Sequence, residues 1–218
     1  MQERTWKIRK LCVMAMLCAM AFAAVALIRI PVVVFLKYEP KDVLLVIGGF
    51  LFGPLAGAIM ATAVALLELV TVSDTGIIGL VMNVLSSCLF VCIATGLYQR
   101  KRTMKGAILG LSLGTLATTV GMLLWNYLIT PLYMGMPRTA VAEMLLPVFL
   151  PFNLLKGSIN STLAILLYKG VSQGLRSAHL LPPAKTEGQQ KRGYGVWLIS
   201  LFVLLTLLVI MLVWSGVI

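Results

Sequence analysis

The sequence is poor in charged residues and contains a single histidine. Only 11% of the 218 residues are charged, and seven Asp and Glu stand against 18 Lys and Arg. The four cysteines (Cys12, Cys18, Cys88 and Cys92) form no C-x-x-C pair, and His179 lies outside every apolar run. Because zinc and haem sites draw on clustered cysteine and histidine, we expect no metal and no cofactor.

Motifs of catalysis are also missing. The sequence has no H-E-x-x-H and no G-x-S-x-G, the signatures of zinc proteases and of serine hydrolases. It has no G-K-[ST] either, so we expect no phosphate-binding loop and no ATP hydrolysis by this chain. We therefore expect a protein that is not an enzyme, and any uphill transport must draw its energy from a partner or an ion gradient.

What the sequence has in abundance is apolar residues. Hydrophobic residues make up 60% of the chain, and the mean hydropathy is +1.01. Several uncharged runs approach or exceed the roughly 20 residues with which an α-helix crosses a bilayer, and none alternates as a transmembrane β-strand does. The sequence therefore predicts an all-α integral membrane protein with several spans.

Apolar runs separated by polar segments predict seven helices. We expect them at about residues 11–30, 43–72 (two helices joined by a tight turn in FGPLAG), 77–98, 106–129, 141–168 and 194–218. The first helix within 43–72 is expected to be short or strongly tilted, and residues 31–42 to form an ordered loop with a short extended piece. The polar segment 177–193 then separates a six-helix membrane domain, residues 1–176, from a seventh transmembrane helix.

Basic residues are concentrated in three segments that flank the apolar runs. Four Lys and Arg lie within residues 4–10, four within 100–105 and five within 169–192. A cytoplasmic N-terminus places all three segments in the cytoplasm, as the positive-inside rule requires. This distribution favours contact with membrane lipid over binding of nucleic acid. The basic start of the first run also fits a cleaved signal peptide, but its length and the runs that follow favour a retained span.

Small residues recur at every fourth position in three of the predicted helices. Such rows let two helices approach closely, so packing within the chain is one interpretation of each row. For the row on the first helix, docking of another membrane protein is the alternative. The rows are Ala15, Ala19 and Ala23; Gly49, Gly53 and Gly57; and Gly106, Gly110 and Gly114.

The sixth predicted helix carries three polar residues in the stretch LPFNLLKGSIN. Asn153, Lys156 and Asn160 are three and four residues apart, a spacing that places them on one helical face. Lys156 lies roughly 18 Å from the inner end of its span, too far for its side chain to reach the membrane surface. Two interpretations are open: a buried ion pair with Glu68 or Glu143, or a polar cavity.

A further amide lies in the outer half of the fifth predicted helix. Asn126 stands in LLWNYLITPLY, next to Trp125 and Tyr127, although aromatic residues are also expected at membrane interfaces for their own sake. Asn126, Asn153 and Lys156 together offer several hydrogen-bond donors and two acceptors. We expect them to serve a flat, neutral, multiply hydrogen-bonding ligand in a cavity that opens toward the outer loops.

Five segments of the chain carry a similarity to a known family: FLKYEPKD, IGGFLFGPLAG, TGIIGLVMNVLSS, WNYLITPLYMG and LPFNLLKGSIN. In this order they resemble the RibU family of riboflavin-specific substrate-binding (S) components of energy-coupling factor (ECF) transporters, over residues 9–176. The resemblance implies a six-helix bundle in the bacterial plasma membrane that captures riboflavin at the outer face as a transported ligand. It also implies two kinds of partner, a transmembrane coupling subunit and two cytoplasmic ATPases.

The resemblance also assigns roles to individual residues. Amides and a lysine hold the flavin, an outer loop closes over it, and the alanine row of the first helix contacts the coupling subunit. The last apolar run lies outside the six-helix pattern and receives no role. The residues expected to bind substrate are Asn126, Asn153, Lys156, Tyr38, Glu39, Leu36, Phe35, Thr75, Gly76 and Asn160, and those expected at the partner interface are Ala15, Ala19 and Ala23.

Other functions are still open from the sequence. One is an S component for a different vitamin, and another is a structural or regulatory membrane protein whose polar residues only pack helices. A membrane enzyme would require a nucleophile or base that the sequence does not offer. Flavin mononucleotide is also open as a second ligand, because Lys156 favours an anion although an added phosphate needs room.

Overall fold

The fold is described from a computed structural model, which covers residues 2–33, 36–72, 76–182 and 194–214. Helices dominate it, and a two-stranded antiparallel hairpin follows the first helix. The helices are α1 (Gln2–Leu27), α2 (Lys41–Phe52), α3 (Pro54–Thr71), α4 (Gly76–Lys101), α5 (Met104–Met134), α6 (Arg138–Met144), α7 (Leu150–Ser177) and α8 (Tyr194–Trp214), and the strands are β1 (Ile30–Val33) and β2 (Leu36–Tyr38).

Within the described residues, six segments are long and apolar enough to cross a membrane. They comprise α1, α3, α4, α5, the continuous stretch Arg138–Ser177 and α8. With 12 residues, α2 is only about 18 Å long, short of the roughly 30 Å of a bilayer core. The prediction of an all-α membrane protein with a short second helix and an additional C-terminal helix is confirmed.

The chain reverses between α2 and α3 at a single glycine. Gly53 has a φ of 100°, a conformation that glycine adopts without the penalty of a side chain, and Pro54 begins α3. The tight turn predicted in FGPLAG is therefore confirmed. Because the two helices run back along each other, the first residue of α2 comes to lie beside the end of α3.

Glycines also set how closely α4 and α5 pack. A methyl group on Gly110 would clash with the backbone carbonyl of Ala94, and one on Gly114 would come within 2.9 Å of the carbonyl of Phe90. In the other glycine row, a methyl group on Gly57 would clash with the side chain of Val91 of α4. The glycine rows thus serve packing within the chain.

The alanine row of α1 behaves differently. Ala15, Ala19 and Ala23 are exposed, whereas the opposite face of α1 is buried in the core through residues such as Leu17 and Val25. This row is therefore available for contact outside the described chain, and its role at a partner interface stays a prediction.

The sequence placed a loop, residues 130–138, between the helices expected at 106–129 and 141–168, but most of this segment is helical, so that expectation was wrong. Helix α5 continues through Pro131 to Met134 and ends at Gly135, whose φ of 64° is a left-handed conformation. A proline interrupts one backbone hydrogen bond, but neighbouring groups in a membrane helix bundle compensate for the loss. Only residues 135–137 separate α5 from α6.

Helix α8 packs against α7 and reaches the hairpin. Leu204 and Met211 are buried in a cluster with Val32 of β1 and with Phe149 and Ile159. Most of its remaining apolar residues are exposed, as expected for a helix that faces lipid. The division into residues 1–176, 177–193 and 194–218 stays a prediction, and residues 183–193 and 215–218 lie outside the described part of the chain.

Candidate functional site

A cavity of about 210 Å³ lies between the hairpin and the adjacent ends of α4, α5 and α7. Each of these elements contributes both apolar and polar side chains to the lining. The cavity is lined by Arg29, Leu36, Lys37, Glu39, Ile78, Gly79, Met82, Asn83, Ser86, Met122, Trp125, Asn126, Ile129, Thr130, Phe152, Asn153 and Lys156.

The walls of the cavity suit a flat apolar body. Trp125 of α5 and Phe152 of α7 supply aromatic surface, and Ile78, Met82 and Met122 supply aliphatic or thioether surface. Small-molecule sites typically combine such walls with a few polar groups that fix orientation. The lining therefore fits a ligand with an extended ring system and polar edges.

Two polar residues of α7, Asn153 and Lys156, line this cavity. The Nδ2 of Asn153 donates to the carbonyl of Phe149 at 2.7 Å, which fixes the side chain. Neither the Oδ1 of Asn153 nor the Nζ of Lys156 forms a hydrogen bond or salt bridge with any described residue. Groups that carry unused hydrogen-bonding capacity in a largely apolar site are suited to hold a polar ligand.

A π-helical turn, Leu145–Phe149, positions these residues. The backbone N–H of Leu150 donates to the carbonyl of Leu145, five residues back, before regular α-helical geometry resumes in α7. Such single π turns occur frequently at functional sites because they rotate the residues that follow. In this chain the residues that follow are Phe152, Asn153 and Lys156, all of which line the cavity.

Asn126 is held in place by its own helix. Its Nδ2 donates to the carbonyl of Met122 at 2.7 Å, and its Oδ1 accepts from the Oγ1 of Thr130 at 2.9 Å. The amide retains a second N–H and a second lone pair. Asn126 therefore offers a fixed polar edge on the α5 wall, opposite the α7 pair.

Ion pairs tie the hairpin end of the cavity to its surroundings. The Nε of Arg29 lies 2.9 Å from the Oε1 of Glu39, and the Nζ of Lys41 lies 3.4 Å from the other carboxylate oxygen. Arg29 also donates to the carbonyl of Val72 at 2.6 Å. Burial alone would raise the pKa of Glu39, but the positive charges of Lys41, Lys156 and Arg29 hold that pKa below its usual value.

Beneath the cavity lies a buried ion pair that the sequence did not reveal. The Nζ of Lys41 lies 2.6 and 2.7 Å from the two carboxylate oxygens of Glu68, and the Nδ2 of Asn83 donates to Glu68 at 2.8 Å. Lys41 and Glu68 are only 2% and 1% exposed. The interpretation of Lys156 as the partner of Glu68 or Glu143 is therefore wrong: Glu68 is paired with Lys41, and Glu143 is exposed.

The structure brings five of the ten predicted substrate-binding residues into the cavity lining. Asn126, Asn153, Lys156, Glu39 and Leu36 belong to it, and their role in binding stays a prediction.

Five further candidates do not line the cavity or cannot be placed. Tyr38 and Asn160 are buried beside it, where the Tyr38 hydroxyl donates to the Oδ1 of Asn160 at 2.9 Å. Burial, with a smaller effect of Asp42, raises the pKa of Tyr38, so this hydroxyl stays protonated. Gly76 is exposed at the start of α4 and does not line the cavity. Phe35 and Thr75 lie outside the described residues.

Sequence reasoning missed the contribution of α4. Asn83 and Ser86 line the cavity, and Asn83 is an amide inside an apolar run, the same signal that identified Asn126. Arg29, at the end of the first apolar run, was also missed, and its pairing with Glu39 depends on the hairpin that brings the two together.

Comparisons with known proteins agree on one family. Residues 9–168 match the family described as "ECF transporter, substrate-specific component". The riboflavin transporter FmnP of Bacillus subtilis is 31% identical over 189 residues, which cover 80% of this chain and 99% of that relative. The riboflavin transporter RibU of Staphylococcus aureus is 32% identical over 178 residues, 77% of this chain and 93% of the relative.

A solved structure agrees in fold. It is described as the S component of a bacterial ECF transporter, is 30% identical, and superposes with a TM-score of 0.66 over 78% of this chain and 99% of that chain. The expected S-component bundle is therefore confirmed, and the share of this chain that the solved structure leaves uncovered is long enough to hold the additional C-terminal helix.

Proposed function

The chain belongs to the family of substrate-specific components of ECF transporters, and from this premise we propose that it binds riboflavin in the cavity between the hairpin, α4, α5 and α7. Two of its relatives carry the name of riboflavin transporters. Riboflavin combines a flat three-ring system with a polar pyrimidine-like edge and a hydroxyl-rich ribityl chain. In this proposal the chain mediates uptake and has no ATPase activity of its own, and riboflavin is cargo rather than a cofactor.

One observation carries the proposal. Asn153 Oδ1 and Lys156 Nζ form no hydrogen bond or salt bridge with any described residue, and both residues line a cavity with aromatic and aliphatic walls. Together with the fixed amide of Asn126 they can bond the polar edge and the hydroxyls of riboflavin, while Trp125 and Phe152 contact the rings. A helix bundle that used these groups only for packing would pair them internally, because unpaired polar groups in a membrane are costly.

We propose that the cavity faces the outside of the cell. The three basic segments of the chain then lie in the cytoplasm together with the N-terminus, in line with the positive-inside rule. In this orientation the hairpin with Leu36 and Glu39 lies at the outer surface, where it can cover bound riboflavin.

The energy for uptake comes, in this proposal, from partners. A transmembrane coupling subunit and two cytoplasmic ATPases complete the transporter, and the exposed row of Ala15, Ala19 and Ala23 on α1 contacts the coupling subunit. Small side chains allow a partner helix to approach α1 closely.

Titration of riboflavin into the purified full-length chain tests the site. Binding is followed through the quenching of flavin fluorescence, which contact with an aromatic side chain such as Trp125 would produce. We expect Asn153→Ala to weaken binding about 3- to 10-fold and Lys156→Met about 10-fold or more, from the usual worth of neutral and charged hydrogen bonds. Lys105→Met is the matched control, because Lys105 is exposed and does not line the cavity.

Flavin mononucleotide is the second ligand to titrate. Lys156 lines the cavity and forms no salt bridge with any described residue, so its positive charge favours an added phosphate. If the folded protein binds neither flavin, or if Asn153→Ala and Lys156→Met bind riboflavin as tightly as the Lys105→Met control, the proposed site is wrong.

A further inference from the structure

A second cavity, of about 390 Å³, lies at the opposite end of the helix bundle. It is formed where α4 ends and α5 begins, and α2 and α7 close its other sides. Along α4, Tyr98 in this cavity is 12 residues from Ser86 in the first, a separation of about 18 Å. No described residue lines both cavities.

The interior of the second cavity is apolar and aromatic. Ala107, Ala164 and Ile165 line it, and the ring of Phe50 packs against those of Tyr98 and Tyr168 with centroid distances of 4.5 and 5.6 Å. A void with such walls favours a hydrocarbon chain over water.

The mouth of the same cavity is cationic. Lys101, Arg102 and Thr103 line it in the turn that joins α4 to α5, and all three are exposed. The N-terminus of α5, which starts at Met104, adds the partial positive charge of a helix start. No acidic residue of the described chain lines this cavity.

The surroundings strengthen this positive charge. Lys10 of α1 lies 5.8 Å from the ring centroid of Phe52, so the basic start of α1 lies at the same end of the bundle as this cavity. Glu3 is the one described acidic residue at that end, and it is already paired with Lys7 at 2.9 Å. The end of a membrane bundle with a strong excess of cations faces the headgroups of anionic lipids.

We propose that this second cavity binds one anionic phospholipid. The phosphate of the headgroup is held by Lys101 and Arg102 at the mouth, and an acyl chain enters along Ala107, Ala164 and Ile165. Free phosphate shares the charge chemistry but would leave the apolar interior empty. The proposal concerns a site remote from the riboflavin cavity, so either proposal can fail without the other.

Native mass spectrometry of the full-length protein in detergent tests the proposal. The protein is incubated with dioleoyl phosphatidylglycerol or with phosphatidylcholine of the same chains, and bound lipid is counted as a mass adduct. We expect one phosphatidylglycerol adduct, bound at least tenfold more tightly than phosphatidylcholine. The double variant K101Q/R102Q should bind phosphatidylglycerol at least tenfold more weakly, because each cation near the surface contributes a several-fold factor.

A charge-matched variant separates a built site from general surface attraction. R100Q/K105Q removes the same net charge from exposed residues of the same turn that do not line the cavity, and it should keep its affinity within about twofold. Ala107→Phe fills the apolar interior and should also lose the lipid. A cooperative heat-unfolding transition in detergent, at a temperature close to that of the unaltered chain, shows that each variant is folded whether or not it binds riboflavin.

Three results would overturn the proposal. The first is equal loss of phosphatidylglycerol in K101Q/R102Q and R100Q/K105Q, which would indicate surface attraction only. The second is phosphatidylcholine binding as tightly as phosphatidylglycerol. The third is displacement of the lipid by millimolar inorganic phosphate, with Ala107→Phe binding normally, which would indicate an anion site without a lipid chain.

Discussion

The buried pair between Lys41 and Glu68 gives the sharpest prediction about stability. Both side chains are almost fully buried, and the ammonium group lies 2.6 and 2.7 Å from the two carboxylate oxygens. Lys41→Met removes the positive charge, while the hydrogen bond from Asn83 to Glu68 stays in place. Breaking a buried pair from one side typically costs about 3–5 kcal/mol, since the remaining charge is left uncompensated.

The expected effect is large enough to measure by heat unfolding in detergent. At roughly 2–4 °C per kcal/mol for a chain of this size, Lys41→Met should lower the melting temperature by roughly 6–20 °C. Lys105→Met, which removes an exposed lysine, should change it by no more than about 2 °C. The double variant Lys41→Met/Glu68→Leu should recover part of the loss, because an apolar pair avoids the desolvation of both charges, while Asn83 and Glu39 each lose one partner.

Two results would refute this reasoning. If Lys41→Met melts like Lys105→Met, the pair does not contribute in the way its geometry indicates. If the double variant loses as much stability as the single variants Lys41→Met and Glu68→Leu lose in sum, Lys41 and Glu68 act independently rather than as a pair.

Three further predictions follow from the packing and charges. Gly110→Ala should lower stability by about 1–3 kcal/mol in the same heat-unfolding assay, since the new methyl group meets the carbonyl of Ala94; an unchanged melting temperature would contradict the close contact. The pKa of Glu39 is lowered in the folded protein, so its ion pairs stabilise the fold fully above pH 4.5 and lose that contribution as the pH falls below this value. The melting temperatures of the wild type and Glu39→Gln, measured from pH 7 to pH 3, should therefore converge only at the acid end. A chain that ends at Pro182 lacks the contact of α8 with β1, so it should fold but release riboflavin several-fold faster in a stopped-flow chase, and an equal rate would show that α8 does not support the hairpin.

The helices could be predicted from the sequence because hydropathy reports directly on burial in a membrane. The turn at Gly53 was predictable for a similar reason, since the pair of glycine and proline interrupts an apolar run. The end of α5 was not predictable from the sequence. Pro131 indicates a helix break, but the surrounding bundle tolerates this proline, and the helix ends at Gly135.

The candidate site was predictable only in part. Asn126, Asn153 and Lys156 stood out because a polar group in an apolar helix has few harmless explanations. The partner of Glu68 could not be identified from the sequence, because Lys41 belongs to a different helix and the pairing depends on how α2 folds back on α3. Arg29 and Asn83 reach the cavity through the hairpin and the placement of α4, which hydropathy does not report.

The visible absorption of the purified protein tests the proposal that this chain binds riboflavin. The full-length chain is purified in detergent without added flavin from cells grown with riboflavin, and the released ligand is identified by mass. We expect a yellow protein that releases riboflavin, with little or none from Lys156→Met. A folded, colourless protein that also leaves the fluorescence of added riboflavin unquenched would show that this chain does not bind riboflavin.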